Sequence, residues 1–252
     1  MKTMKRNQFF WIFFLVAFAL SAQETTLQKA NALYAQGDYI AAAEQYEMIA
    51  QIQGESPQLY YNLGNAYYRS GELGKAILNY NRALLFSPHY DDARFNLRIA
   101  QQKVVDNVDV TTTFFLVQWV NDFGDLLSSN QWAVLSLASF LLMLITALLY
   151  LFARYRHWRK ISFNVALFML FLSLISIGLA EKQSHKVMNS TAGIIMDKSV
   201  TAKDSPSLNA KDMFVLHEGT KVTIRDDISG WTEVELPDGN AGFIPTTSIE
   251  KI

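Results

Sequence analysis

Cysteine is absent from this chain of 252 residues, so disulfides, zinc–thiolate sites, iron–sulfur clusters and cysteine nucleophiles are all excluded. A strong excess of either charge is absent too: 22 Lys and Arg against 23 Asp and Glu give a formal net charge of -1, which argues against a nucleic-acid binder. The four histidines, His89, His157, His185 and His217, are scattered, and none stands at metal-ligand spacing from another. The sequence therefore predicts no enzyme activity, no cofactor and no metal site.

Long apolar runs are present in three places, and the first lies near the N-terminus. The segment MKTMKRNQFFWIFFLVAFALSAQ places three cations ahead of an apolar run and small residues after it. This pattern is typical of a secretory signal peptide, which we assign to residues 1–22. An uncleaved membrane anchor is the alternative. The shortness of the apolar run favours cleavage.

The second and third apolar runs, residues 132–152 and 161–180, contain no charged residue and are each long enough to cross a bilayer as a helix. Because cations concentrate on the cytoplasmic side of membrane proteins, the connecting loop 153–160 is predicted to be cytoplasmic. Both flanking segments then lie in the periplasm, on the outer side of a bacterial inner membrane. A buried helical hairpin in a soluble protein is the alternative. The cations of the loop are Arg154, Arg156, Arg159 and Lys160.

An internal repeat occupies the segment 23–104. Gly37, Ala42 and Tyr46 recur, at one constant spacing, as Gly71, Ala76 and Tyr80. The second copy, YYNLGNAYYRSGELGKAILNYNRALLFSP, is similar to the tetratricopeptide signature, and we expect two repeats and a closing helix. Gly64 in a helix indicates that a second helix approaches closely, with Ala76 and Ala83 as the facing small residues. The residues predicted to pack the repeat are Leu63, Gly64, Tyr67, Ala76, Tyr80, Ala83 and Pro88.

The first helices of such repeats line a concave face. Asparagine amides both donate to and accept from a peptide backbone, so repeated asparagines on this face predict a groove that binds a partner. The alternative is that they are helix-surface residues that stabilise one another. The predicted groove residues are Asn31, Tyr34, Tyr61, Asn62, Asn65, Tyr68, Arg69 and Asn96.

The linker 105–131 contains the amphipathic sequence TTTFFLVQWVNDFGDLL. Its bulky apolar residues are interrupted by polar ones, which favours a helix lying in the membrane interface before the first span. A helix packed on the soluble domain is the alternative.

The last segment, residues 187–252, changes to an alternating pattern, with KVTIR, WTEVEL and AGFIP as strand candidates separated by HEGT, DISG and PDGN turns. The spacing of its glycines and of Trp231, Phe243 and Pro245 resembles the bacterial SH3-like domain, which implies a five-stranded, partly closed barrel. Trp231, Phe243 and Pro245 are candidates for its core or for a ligand face, and we favour a structural role for Trp231 and Phe243 because so small a core needs large side chains.

The predicted fold is thus multidomain: an all-α tetratricopeptide repeat, a two-helix transmembrane hairpin and an all-β SH3-like barrel. This order of modules, with the YYNLGNAYYRSGELGKAILNYNRAL, VLHEGTKV and GFIP sequences, is similar to the BatE proteins of the Bacteroides aerotolerance operon. The resemblance implies a membrane-anchored scaffold beside von Willebrand factor A-type membrane proteins and a MoxR-type ATPase, with a role in envelope or oxidative-stress tolerance.

Two functions from different classes follow. The first is a protein–protein interaction scaffold that uses the concave helical face. The second is a peptidoglycan-binding membrane protein that uses its SH3-like tail, with the repeats as a spacer. A third function, enzyme activity, would require a catalytic fold that these sequence patterns do not reveal. The expected partners are therefore membrane proteins of the same operon type or peptidoglycan, together with the lipid bilayer and without nucleic acid.

Overall fold

The computed structural model describes residues 26–106 and 115–252. The predicted signal peptide, residues 1–22, lies outside this part of the chain, as do residues 107–114 of the predicted linker.

The first described region is a helical repeat of two helix pairs and a fifth helix, as the recurring sequence pattern predicts. Local chemistry sets the helix ends: the Ser56 hydroxyl accepts from the Leu59 amide at 3.2 Å, Pro57 occupies the first turn, and Gly71 ends the third helix at φ 90°. The helices are α1 (26–35), α2 (Tyr39–Gln53), α3 (Pro57–Ser70), α4 (Leu73–Phe86) and α5 (Asp91–Gln101).

Gly64 does mark a close helix contact, but its neighbour is Tyr80. A Cβ at Gly64 would lie 2.6 Å from the Cδ1 and Cε1 atoms of the Tyr80 ring, which is 1% exposed. The side chain nearest to Gly64 is therefore that of Tyr80 rather than that of Ala76 or Ala83, and both alanines are fully buried. An aromatic ring fills the space that the missing side chain leaves.

A short helix and a long helical hairpin follow: α6 (Phe115–Gly124), α7 (Ser129–Phe152) and α8 (Arg156–Met188). Both hairpin helices are long and apolar enough to cross a membrane. They extend beyond the predicted spans 132–152 and 161–180. The loop between them is shorter than the predicted loop 153–160, because Arg156, Arg159 and Lys160 belong to the first turns of α8.

The hairpin buries small polar side chains between its helices and exposes its large apolar ones. Ser136 and Ser173 bond reciprocally, each hydroxyl donating to the other residue's carbonyl oxygen at 3.0 and 3.1 Å. Leu151 and Phe152, by contrast, are 66% and 83% exposed. This distribution is the reverse of a soluble helical core and is common between membrane helices.

The C-terminal region is an antiparallel sheet of seven strands: β1 (Ala192–Ile195), β2 (Ser199–Lys203), β3 (Asp212–His217), β4 (Lys221–Ile228), β5 (Trp231–Glu235), β6 (Ala241–Pro245) and β7 (Ile249–Lys251). Their order in the sheet is β3-β2-β6-β5-β4-β1-β7. The three strand candidates KVTIR, WTEVEL and AGFIP form β4, β5 and β6. The predicted count of five strands is too low, and the start at residue 187 is too early, since α8 continues through Met188.

The sheet packs directly on the helical repeat. Ile194 of β1 is fully buried within the core of the helices. At the start of α4, the Gly74 amide donates to the Glu218 carboxylate at 2.7 Å. Further along the same helix, the Arg82 guanidinium donates to Glu250 at 3.0 Å. An array of fewer than three repeats leaves its end uncovered. Here the sheet provides the missing neighbour.

Candidate functional site

The concave face of the helical repeat contains the same tyrosine–asparagine pair in both repeats. The Tyr46 hydroxyl donates to Asn31 Oδ1 at 2.6 Å, and the Tyr80 hydroxyl donates to Asn65 Oδ1 at 2.8 Å. Each pair joins the two helices of one repeat, and the two pairs occupy equivalent positions in the two sequence copies. The amide oxygens of Asn31 and Asn65 are thus occupied, and their Nδ2 donors have no hydrogen-bond partner within residues 26–106 and 115–252.

Asn62 differs from these two asparagines. Its amide makes no hydrogen bond to any residue that the structure describes. It lines a cavity of about 210 Å³ together with Asn31, Tyr34, Tyr46 and Asn65. Within the described part of the chain, the walls of the cavity therefore carry unpaired amide groups, with the aromatic side chains of Tyr34 and Tyr46 beside them. Such a lining suits the carbonyl and amide groups of a peptide.

Two further predicted groove residues, Asn96 and Tyr61, are linked to a wall of this cavity through the Asn96 amide. Asn96 Nδ2 donates to Asn65 Oδ1 at 2.7 Å and to the Tyr61 hydroxyl at 3.4 Å, so α5 closes one end of the face. Asn65 and Asn96 therefore also stabilise the helices, which was the alternative interpretation of the repeated asparagines.

The last two predicted residues, Tyr68 and Arg69, lie towards the end of α3 and contact residues that the prediction missed. Arg69 donates to the Tyr39 hydroxyl at 2.9 Å. The Nζ atom of Lys103 lies 4.2 Å from the centre of the Tyr68 ring. Lys103 thus adds a positive charge beside the predicted groove, and no repeat position in the sequence marked it.

The hydroxyls of the tyrosine–asparagine pairs remain protonated near neutral pH. Burial raises the pKa of Tyr80 above its usual value, and the neighbouring Tyr61 raises it further. Burial likewise raises the pKa of Tyr46. Both hydroxyls therefore stay donors, which keeps the asparagine oxygens occupied and the Nδ2 groups available.

A second cluster joins the end of the helical repeat to the sheet through Asp106. Its Oδ2 accepts from the His217 amide at 2.7 Å and the Thr220 hydroxyl at 2.6 Å, and its Oδ1 lies 2.7 Å from His217 Nδ1. Burial by itself raises the pKa of Asp106, but the hydrogen bonds from Thr220 and His217 outweigh it and lower the pKa. In the same turn, a Cβ at Gly219 would lie 2.8 Å from Ile77 Cδ1.

Sequence reasoning missed the role of Asp106, although a signal was present. Asp38, Glu72 and Asp106 recur at the spacing of the repeat, at the position where a repeat's second helix begins. Asp38 caps α2 by accepting from the Ala41 amide at 3.2 Å. Asp106 has the same chemistry but accepts from the turn between β3 and β4.

Trp231, Phe243 and Pro245 lie together on the outer face of the sheet. They alternate with the buried Thr232, Val234 and Ile244 along β5 and β6, and all three are half-buried. The buried cluster of the sheet consists of smaller residues, so the expectation that Trp231 and Phe243 supply its core does not match their position. Its members are Ile195, Val200, Ala202, Leu216, Val222, Val234, Leu236 and Ile244.

The short helix α6 contacts the end of the hairpin. The Trp132 indole donates to the Gly124 carbonyl at 2.8 Å, and Lys182 donates to Asn121 at 2.8 Å. Trp119 and Phe123 of the same helix are 68% and 45% exposed. An apolar surface therefore remains open beside the helix ends.

Comparison with known proteins identifies one module. Residues 57–90, which cover α3 and α4, match the tetratricopeptide repeat family. Repeats of this family mediate protein–protein interactions and are typically non-enzymatic scaffolds. No curated protein matches the chain in sequence.

Proposed function

We propose that this protein is a scaffold anchored in the bacterial inner membrane, whose concave helical face binds an extended segment of a partner protein in the periplasm. The observation that carries the proposal is that, among the residues described, the amide of Asn62 and the Nδ2 donors of Asn31 and Asn65 have no hydrogen-bond partner and line one cavity. A chain in extended conformation offers backbone carbonyls at regular intervals, and these are the acceptors that such donors need.

The partners that we propose are membrane proteins of the aerotolerance-operon type, namely von Willebrand factor A-type proteins working with a MoxR-type ATPase. The similarity of module order and the match of residues 57–90 to an interaction repeat support this assignment. In the same proposal, residues 1–22 direct export and the sheet is an SH3-like domain that covers the end of the repeat.

The distribution of side chains in the hairpin supports the membrane anchor. A soluble protein would bury the leucines and phenylalanines that α7 and α8 expose, and it would have less reason to pair Ser136 with Ser173 between them. The connecting end of the hairpin carries four cations and no acidic residue. The other end, to which α6, the repeat and the sheet are attached, mixes the cations Lys182 and Lys186 with the acidic residues Asp125 and Glu181. This arrangement supports a cytoplasmic connection and two periplasmic soluble regions.

The orientation is testable because the native chain has no background thiol. We expect a cysteine at Ser205, an exposed loop residue, to react with an impermeant thiol reagent added from the periplasm. A cysteine at His157, exposed in the first turn of α8, should react only after the membrane is permeabilised. Labelling of His157 but not Ser205 in intact cells would reverse the assigned orientation.

The groove is tested with the double variant Asn62→Ala and Arg69→Ala. We leave Asn65 unchanged because Tyr80 and Asn96 both donate to it, so its removal would disturb the helices. Loss of two polar contacts is expected to weaken partner binding about tenfold or more while the thermal unfolding of the repeat changes little. The measurement is crosslinking in native membranes followed by quantitative mass spectrometry.

A matched control is the pair Gln51→Ala and Arg98→Ala, which removes an amide and a guanidinium from exposed positions outside the groove. It should leave the crosslinked proteins unchanged. Equal crosslinking by the wild type and by the Asn62→Ala/Arg69→Ala variant would exclude the concave face as the binding site.

A further inference from the structure

A cavity of about 540 Å³ lies where the helical repeat, the end of the hairpin and the sheet meet. Asn81 and Arg94 come from the repeat, Asp125 and Lys186 lie at the end of the hairpin, and Lys221 begins β4. Three cationic side chains thus surround one space with a single acidic side chain among the residues that line it. None of these side chains belongs to the concave face.

The three cations differ in how well they are neutralised. Lys186 pairs with Asp125 at 3.1 Å, and Arg94 pairs with Asp91 at 3.2 Å. Lys221 makes no ion pair with any described residue. Its Nζ donates only to the amide oxygen of Asn81, at 3.2 Å.

The surroundings of Lys221 disfavour its charge. Protein atoms around the ammonium group lower the pKa of Lys221, mainly through burial and also through repulsion from Lys186, although the residue as a whole is exposed. An anion in the cavity would offset both effects by electrostatic attraction, since Lys221 and Lys186 line the same space. The polar residues Asn189 and Thr191, which also line the cavity, add hydrogen-bonding groups.

The cavity also lies close to the expected membrane surface. Lys186 is in the last turn of α8, six residues after Ala180, where the uncharged run of the hairpin ends. At a rise of 1.5 Å per residue this separation is about 9 Å. A headgroup layer extends roughly 5–8 Å beyond the hydrocarbon on each side, so the Cα atom of Lys186 stands just outside this layer. Because the side chains of a helix lean toward its N-terminus, the Lys186 side chain extends from there back toward the lipid phosphates.

We propose that this cavity binds the phosphate group of an anionic membrane phospholipid, with Lys221 and Lys186 as its cationic contacts. The proposal rests on the membrane anchor of the proposed function but is independent of the concave face. Because residues of all three regions line the cavity, a bound headgroup would fix the angle at which the repeat and sheet stand on the membrane.

The test uses the full-length protein extracted with a mild detergent in the presence of phosphatidylglycerol and phosphatidylcholine. Native mass spectrometry measures the lipid that remains bound. We expect the wild type to retain phosphatidylglycerol in preference to phosphatidylcholine. The Lys221→Gln variant should retain about five times less phosphatidylglycerol than the wild type. Lys221→Arg, which keeps the charge, should retain the lipid. Lys198→Gln, an exposed lysine of the sheet region outside the cavity, is the matched control.

Equal retention of phosphatidylglycerol by the wild type and Lys221→Gln, with both proteins folded by circular dichroism, would overturn the proposal. A second arm titrates the detergent-solubilised protein with glycerol phosphate. Binding that is lost in Lys221→Gln but shows no preference for the lipid would keep the phosphate site and overturn its assignment to the membrane. Flotation of the wild type with vesicles tests the anchor separately, so failure of the anchor is distinguishable from failure of the site.

Discussion

Replacing Asp106 by alanine is expected to weaken the packing of the sheet on the helical repeat and to lower the free energy of unfolding of this unit by about 2–4 kcal/mol. The carboxylate accepts from the His217 amide and from the Thr220 hydroxyl, and its other oxygen bonds the His217 ring. Hydrogen bonds to a charged acceptor are the stronger kind, and their loss leaves the His217 amide without a partner. Hydrogen exchange of that amide, measured in the full chain, should accelerate by about tenfold or more.

The same contact predicts a dependence on pH. Because the hydrogen bonds lower the pKa of Asp106 below its unfolded value of about 3.9, the carboxylate contributes its full stability above that pH. The contribution is lost as the pH falls through the lowered pKa of the folded state. The contribution of Asp106 to the packing of the sheet on the repeat should therefore stay constant between pH 5 and 8. It should weaken only in acid, below about pH 4.

Asp197→Ala is the matched control, since this exposed carboxylate lies in the bend between β1 and β2 and makes no hydrogen bond or ion pair with any residue that the structure describes. It should change neither the exchange of the His217 amide nor its response to acid. If Asp106→Ala and Asp197→Ala behaved alike, the bonds to His217 and Thr220 would not hold the two regions together.

Replacing Tyr80 by alanine is expected to cost about 3–5 kcal/mol, the usual cost of removing a buried aromatic ring. The ring is 1% exposed and covers Gly64, and its hydroxyl donates to Asn65. Tyr80→Phe should cost only about 1 kcal/mol, because it removes the hydrogen bond but keeps the packing. Thermal and urea unfolding of the two variants separate these contributions.

Gly64→Ala provides the complementary measurement. Alanine gains about 1 kcal/mol in helix propensity, but its Cβ would lie 2.6 Å from the Tyr80 ring, so we expect a net loss of roughly 1–2 kcal/mol. In the Tyr80→Ala background the clash disappears and Gly64→Ala should become stabilising. Additive effects of the two changes would show that the residues do not contact. Gly178→Ala, a helical glycine with open space around it, should not depend on Tyr80.

The helical repeat shows why a periodic pattern predicts so much. Its constant spacing placed Asn31 and Asn65 at equivalent positions, and so their common face followed from the register. Which of their atoms remain available did not follow. That depends on Tyr46 and Tyr80 reaching across from the second helix of each repeat, which is a property of the packed pair.

The sheet shows the opposite case. Alternation predicted β4, β5 and β6, where one face is buried and the other is not. Strands β1, β3 and β7 give weaker patterns, because their burial also depends on contact with the helices or with neighbouring strands. Strand β2 alternates in burial as β6 does, but its buried side chains, Val200 and Ala202, are small. Ile194, for example, lies in the core of the helical repeat rather than in that of the sheet.

Residue order within single segments was enough to predict the repeat, the two long apolar helices and the positive charge of their connection, since each of these depends on local composition and period. Packing between distant segments set the rest: the sheet covers the end of the repeat, Asp106 bonds to the turn between β3 and β4, and Lys221 meets Lys186 in one cavity. Asp106 and His217 stand 111 residues apart, and Lys186 and Lys221 belong to different regions. Contacts between segments so distant in the chain form only when the regions pack together, which local patterns do not encode.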